Sequence, residues 1–209
     1  GFAVGDRVFV HHHAPCGECR LCRRGHFVHC RTWRATNLVP GGMAEYFLVG
    51  RDNLRADTLR LPDGVDFAAG SLVEPAACVV KSLRRGALEA ADAVLVVGLG
   101  IMGQLHVALA KAAGARVLGA DLVPFRLERA RELGADAVID VRETTLAEGT
   151  RAATGGDLAD LVIVGPGSTE AMRSGIEAAG PGGRVVLFTC TEPDEELALR
   201  PHDLYFDEI

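Results

Sequence analysis

Residues 92–209 alternate between short apolar runs and amphipathic stretches of helical period. The apolar runs, at 93–97, 116–120, 137–140, 161–165 and 184–189, are rich in Val, Leu and Ile and predict strands. Between them the pattern predicts helices near 102–113, 124–133, 143–153 and 168–179. In the first of these, Leu105, Ala108, Leu109 and Ala112 follow the i, i+3, i+4, i+7 spacing, and Gly114 stops the run. Continuous apolar strands separated by helices of this length predict an α/β fold, a doubly wound parallel sheet covered on both faces. The complete form of that fold has about six strands. Five are visible, and a further strand is expected to begin at Tyr205, close to the chain end at Ile209.

The first part of the chain is patterned differently. Gly5-Asp6 reads as a turn entering a strand at Val8-Phe9-Val10. Residues 14–36 are polar, Cys- and Arg-rich and without period, which predicts a loop. Residues 40–50 predict a glycine turn and a short apolar strand. Residues 61–74 mix turn residues with a short helical pattern, and Glu74-Pro75 opens an apolar helix with proline in its favoured first turn. The expected division is one domain at 1–83 and a second at 84–209.

Composition narrows the classes. With 209 residues, 48% apolar and 24% charged, the chain is an ordinary globular protein, not a disordered tail, a collagen or a coiled coil. No apolar run approaches the roughly 20 residues of a spanning helix, and no basic-then-apolar leader is visible. A cytoplasmic protein without a membrane partner is expected. The net charge is −6, but residues 1–60 hold nine Lys/Arg against five Asp/Glu. An acidic protein is a poor nonspecific binder of phosphate backbones. No nucleic-acid partner is expected, although the basic patch at 20–34 leaves room for another anion.

Four of the six cysteines, Cys16, Cys19, Cys22 and Cys30, fall within fifteen residues. This is not the spread of a disulfide scaffold. Four thiolates in one loop can close a tetrahedral Zn²⁺ site, which would be structural because no position stays open. An iron–sulfur cluster is the rival; the ferredoxin run has a three-residue gap before its last Cys, followed by Pro. Here the gap is seven residues and Arg31 follows. Zinc fits better, with unliganded thiols as the bland alternative. The arginines at 20, 23, 24, 31 and 34 would offset the negative charge of such a site.

Gly98-Leu99-Gly100-Ile101-Met102-Gly103 is a GxGxxG. Alone it is weak. Here it follows a strand, opens a helix, and precedes a second strand ending at Asp121, about twenty residues on. Gly98 permits the turn, Gly100 lets backbone approach a pyrophosphate, Gly103 lets helix and strand pack, and the helix N-terminus attracts the phosphates. Asp121 can bond both hydroxyls of an adenine ribose and would repel a 2′-phosphate, so NAD is expected over NADP. The rival is a glycine turn in a nonbinding domain. Arg126 either approaches the adenine ribose or is a solvated helix residue.

Four further features stay ambiguous from the residues alone. Glu74 reads first as a carboxylate at the positive end of a helix. Lys81 lies near the same helical face, and Cys78 reads as a small buried residue. His11 and His13 would share one strand face with His12 on the other, either lining a polar site or forming an exposed strand end.

Together the cysteine lobe after GDRV, the segment LVEPAACVV, and VLVVGLGIMG followed by Asp121 resemble the zinc-dependent medium-chain dehydrogenases, across essentially the whole chain. Glu74-Pro75 points to the polyol and threonine dehydrogenase branch. The resemblance implies a Rossmann domain lacking its last strand and part of a β-rich GroES-like catalytic domain with a zinc lobe. It implies a structural zinc on Cys16, Cys19, Cys22 and Cys30, and places Glu74 at a second, catalytic zinc. The implied NAD contacts are Gly98, Gly100, Ile101, Met102, Gly103, Asp121, Arg126, Phe188 and Thr189. The implied reaction oxidises a secondary alcohol to a ketone, in a homodimer or homotetramer. The family's other catalytic-zinc ligands, a cysteine and a Gly-His-Glu motif, precede the GDRV strand. Residues 1–209 are therefore expected to be inactive alone and to belong to a longer protein. The rivals are a zinc-free NADPH quinone reductase, a noncatalytic zinc and nucleotide module, and a nucleic-acid-binding zinc module.

Overall fold

The computed structural model describes residues 1–209. The chain forms two compact units, Gly1–Glu74 and Pro75–Ile209. This division precedes the expected one at 83/84. The helix that carries Glu74 in its first turn places Val79 and Leu83 in the apolar core of the second unit, so those residues fold with it.

The second unit is built on strands β3 (Ala93–Val97), β4 (Arg116–Asp121), β5 (Ala137–Asp140), β6 (Ala159–Val164) and β7 (Ala179–Leu187). They form one sheet in the order β5-β4-β3-β6-β7, with every pair parallel. The alternation within each strand explains the double covering. Val94, Val96, Val117, Leu161 and Ile163 point into one core cluster. Leu95, Val97, Leu118, Val162 and Val164 point into the other. Both faces are thus closed to water, the condition under which a strand reads as an unbroken apolar run. The crossover helices are α6 (Ile101–Ala112), α7 (Pro124–Glu132), α8 (Leu146–Thr154) and α9 (Thr169–Glu177). The order reverses between β3 and β6, which sets a crevice at the strand C-termini there. The predicted start of α8 is corrected by three residues. Thr145 and Glu148 form a reciprocal capping box that fixes the first turn at Leu146.

The expected strand at the C-terminal end is not present. Residues Pro201–Asp207 form a short helix, α10, with Pro201 in its first turn and Tyr205 and Phe206 exposed. Proline, with φ already helical, suits that position.

The first unit holds β1 (Val8–Val10) paired antiparallel with β2 (Thr58–Arg60). The stretch read as a bare loop carries α1 (Arg20–Arg23), a 3₁₀ turn at Phe27–His29, and α2 (Arg31–Ala35). Each is too short for an apolar period to show. The strand expected in 40–50 reduces to a single bridge between Val39 and Leu48. Two unforeseen elements follow, α3 (Arg51–Ala56) and β2, and then α4 (Phe67–Gly70) and α5 (Val73–Arg85). Glu74 and Pro75 lie in the first turn of α5, as expected.

Candidate metal and nucleotide sites

The four clustered cysteines converge in the first unit. Their sulfurs all lie within 4.8 Å of one another. Cys16 and Cys22 are 3.9 Å apart, Cys19 and Cys22 3.5 Å, and Cys30 and Cys16 3.7 Å. Ligands at about 2.3 Å from one ion in tetrahedral array would stand about 3.8 Å apart, so the donor set fits Zn²⁺. None of the cysteines is in a disulfide. The local fold aims the sulfurs. The N–H of Cys19 donates to the Cys16 sulfur at 3.3 Å, and that of Cys22 to the Cys19 sulfur at 3.5 Å. The backbone at Cys16 and Trp33 pulls the Cys30 thiol down to about 6, while burial pushes Cys22 up to about 12.

Glu74 stands apart from this cluster, in the first turn of α5. Its charge acts on His12, whose pKa is lowered by burial and then by His13 and His11, against the opposing pull of Glu74. The cysteines are the one convergent set of three or more His, Cys, Asp or Glu donors. The residues present therefore do not fit a complete catalytic zinc site.

The histidines do not lie on opposite strand faces, because β1 ends at Val10. Their rings gather with Trp33: His11 and His12 are 4.6 Å apart, His12 and His13 4.1 Å, and His13 and Trp33 4.1 Å between centroids. His13 Nδ1–H donates to the Thr36 carbonyl at 2.7 Å, and His11 Nδ1 lies 3.2 Å from the Asp57 carboxylate.

In the second unit the glycine turn takes the geometry its sequence predicts. Gly98 has φ +83°, a conformation that side chains resist. Nothing stands within 4 Å of the position a Cβ on Gly100 would take. Gly100 precedes α6 and no side chain caps that helix, so its first N–H groups and its positive end are offered to an anion. Ile101 is exposed, and Met102 packs on the core beneath the turn.

Asp121 ends β4 and turns its buried carboxylate back to the turn. Oδ2 accepts from the Leu99 N–H at 2.6 Å, and Oδ1 from the Val123 N–H at 2.8 Å. Arg126 Nη1 lies 3.5 Å from Oδ2. Gln104, which no sequence motif singles out, donates from Nε2 to the carbonyls of both Leu99 and Arg126, tying α7 to the turn. A glutamine in the first turn of a helix carries no sequence signal for such a role.

A cleft of about 900 Å³ opens at the strand ends, lined by Gly98, Asp121, Arg126, Arg142, Pro166 and Ser168 among others. Its size fits a dinucleotide; of the glycine turn Gly98 lines it, while Gly100, Ile101, Met102 and Gly103 do not. Residues just past β3, β4, β5 and β6 line it, a signal the sequence does contain. Phe188 and Thr189 are not in its wall. The Phe188 ring packs on the core instead, edge-on to His106 at 4.9 Å, while Thr189 is exposed beyond β7.

Comparison with known proteins accords with this geometry. The profile of the alcohol dehydrogenase GroES-like domain matches residues 1–63, and that of zinc-binding dehydrogenases matches 102–209. The chain is 30% identical to sorbitol dehydrogenase of Bacillus subtilis over 89% of its length and 52% of that protein's. It is 33% identical to L-threonine 3-dehydrogenase of Pyrococcus horikoshii, over 90% of this chain and 53% of the relative. A Sinorhizobium meliloti structure, described as a zinc-binding dehydrogenase and bound to NADP, superposes with a TM-score of 0.86 at 28% identity, over 99% of this chain and 60% of that one. The chain thus spans about half the length of the curated relatives it matches. No helix is long and apolar enough to cross a membrane. The chain belongs to the zinc-binding dehydrogenase family, with a GroES-like alcohol dehydrogenase region at its N-terminal side.

Proposed function

We propose that the protein containing this chain oxidises a secondary alcohol, of the polyol, sugar-alcohol or threonine type, to a ketone, with the hydride passing to NAD. The single observation that carries the reading is the buried Asp121 carboxylate bonded to the Leu99 N–H inside the glycine turn. That contact sets a carboxylate able to bond ribose hydroxyls beside a helix end able to receive phosphate, which supports a dinucleotide site. The two N–H bonds leave carboxylate lone pairs for ribose hydroxyls. The same negative charge disfavours a 2′-phosphate, which supports NAD over NADP. Gly98, Gly100, Ile101, Met102 and Gly103 would hold the pyrophosphate by backbone, with Arg126 near the ribose. Phe188 and Thr189 would act through the course of the backbone at the end of β7. The bound nicotinamide supplies the hydride acceptor.

Cys16, Cys19, Cys22 and Cys30 would hold a zinc that braces their loop and takes no part in the reaction. Glu74 is proposed to face a catalytic zinc in the complete protein. Sorbitol and threonine dehydrogenases among the relatives support the substrate class. Free thiols support a reducing, cytoplasmic setting, and a homodimer or homotetramer is proposed by family likeness.

The test titrates the chain with NADH and NADPH, then assays the complete gene product with polyols, inositols and threonine. Tighter binding of NADH and NAD-linked turnover of at least one alcohol are expected. Absence of nucleotide binding, or of turnover across the whole panel, would overturn the reading.

A further inference from the structure

Asp121 has a second aspartate beside it at the end of the sheet. In the β4–β5 register Asp121 pairs with Asp140. Neighbouring parallel strands lie about 4.8 Å apart, and laterally paired residues project to the same face of the sheet. The alternation of the two strands bears this out: Ala120 and Ile139, one position earlier, share the opposite core cluster. Two acids therefore stand side by side at the strand ends. Each has an arginine of its own. Arg126 reaches Asp121, and Arg142 grips Asp140 with both arms of its fork, Nε to Oδ1 at 2.9 Å and Nη2 to Oδ2. The Arg142 N–H adds a third bond to Oδ1, at 3.0 Å. The guanidinium beside it holds the Asp140 carboxyl down at about 2.

Arg142, unlike Asp140, lines the cleft. Arg126 and Arg142 are the only cations in that lining, against Asp121, Glu143, Glu148, Glu170 and Glu177. An incoming nucleotide therefore meets an acidic wall whose repulsion is offset at two points. Arg126 sits beside the acid that would bind the ribose. Arg142 masks the acid next to it.

We propose that Arg142 is a specificity-determining residue of the nucleotide site: clamped by Asp140 at the cleft rim, it cancels the second of two adjacent carboxylates and so sets how strongly the site rejects a 2′-phosphate. The proposal rests on the NAD reading above and deepens it. Unit charges a few ångströms apart near a surface still interact through the solvent, and less so as salt is added. The Arg142 side chain is 53% exposed, so a modest change in preference is expected rather than a complete switch.

The test measures dissociation constants of NADH and NADPH for the parent chain and for Arg142→Met, Arg142→Lys, Asp140→Asn and the double variant Asp140→Asn/Arg142→Met, with a melting curve for each. In Arg142→Met the acid is unmasked, and the NADPH/NADH ratio of dissociation constants should rise about three- to tenfold at low salt, with the gap narrowing as salt is added. Arg142→Lys, which keeps the charge, should stay near the parent ratio. The double variant removes both charges and should return toward it, which separates the charge effect from damage to the fold. A ratio unchanged in Arg142→Met, or NADH and NADPH weakened equally, would overturn the proposal while leaving the NAD reading intact. Failure of the parent chain to bind either nucleotide would overturn both.

Discussion

The carbonyl oxygen of Gly98 lies 2.0 Å from the point where a Cβ on Gly103 would stand. That is far inside contact distance, and the obstacle is backbone, which cannot rotate aside. Alanine in an open helix position stabilises by up to about 1 kcal/mol over glycine; here the overlap dominates, and overpacking costs about 1–3 kcal/mol. Gly103→Ala is therefore expected to lower the chemical-denaturation midpoint and to weaken NADH binding at least tenfold, because the turn must open to admit the methyl. Unchanged stability and affinity in that variant would contradict the observed packing.

Asp121→Asn keeps the shape of the side chain but places an NH₂ group against the N–H of Leu99 or of Val123. Two donors then face each other, and a charge-assisted bond worth about 1.5–3 kcal/mol is lost. NADH affinity should fall about tenfold or more by calorimetry, and the preference over NADPH should shrink with it. Equal loss for both nucleotides would show that the carboxylate only supports the turn.

Zinc analysis of the purified chain should find about one ion per molecule, and Cys30→Ser should lose it. Structural zinc contributes about 10–16 kcal/mol of binding free energy that the loop recovers as order. Removal by chelator should accordingly expose residues 15–36 to limited proteolysis, read by mass spectrometry of the fragments. A metal-free chain with the same resistance would remove the bracing role.

His106 is buried at 1% exposure, with Nε2 at 3.0 Å from the Ser82 hydroxyl and Nδ1 at 2.8 Å from the Met102 carbonyl. One consistent tautomer donates from Nδ1–H to that carbonyl and accepts the Ser82 O–H at Nε2. Burial pushes its pKa below the ordinary histidine value, against a smaller upward pull from the Met102 bond. The unfolded chain therefore takes up a proton first as pH falls. The stabilisation is whole above about pH 6.5 and declines below it, by at most about 1.4 kcal/mol per pH unit, until the folded form also protonates. His106→Leu should flatten this part of the stability profile relative to the parent between pH 7 and 5, measured by urea unfolding. Parallel profiles would show that another group governs acid sensitivity.

What could be read from the residues alone was what burial or short-range spacing controls. β3 and the inner stretches of β4 and β6 are covered on both faces, so their runs at 93–97, 117–120 and 161–164 are apolar and unmistakable. The cysteine quartet and the glycine turn are local constellations whose chemistry is set within fifteen and six residues. The short elements α1 to α4, by contrast, have no periodic face to show. The C-terminal segment read as a strand is a helix led by Pro201.

Tertiary structure alone decided where side chains of distant segments meet. Asp121 and Asp140 are nineteen residues apart and become neighbours only through strand register. Phe188 packs edge-on to His106 rather than in the cleft wall, and of the three histidines expected on two faces His11 and His13 meet the Trp33 ring beyond the end of β1. The amino-acid order specifies which groups are available and which runs must be buried. The approach of one group to another depends on how sheets and helices pack in three dimensions, which no linear spacing encodes.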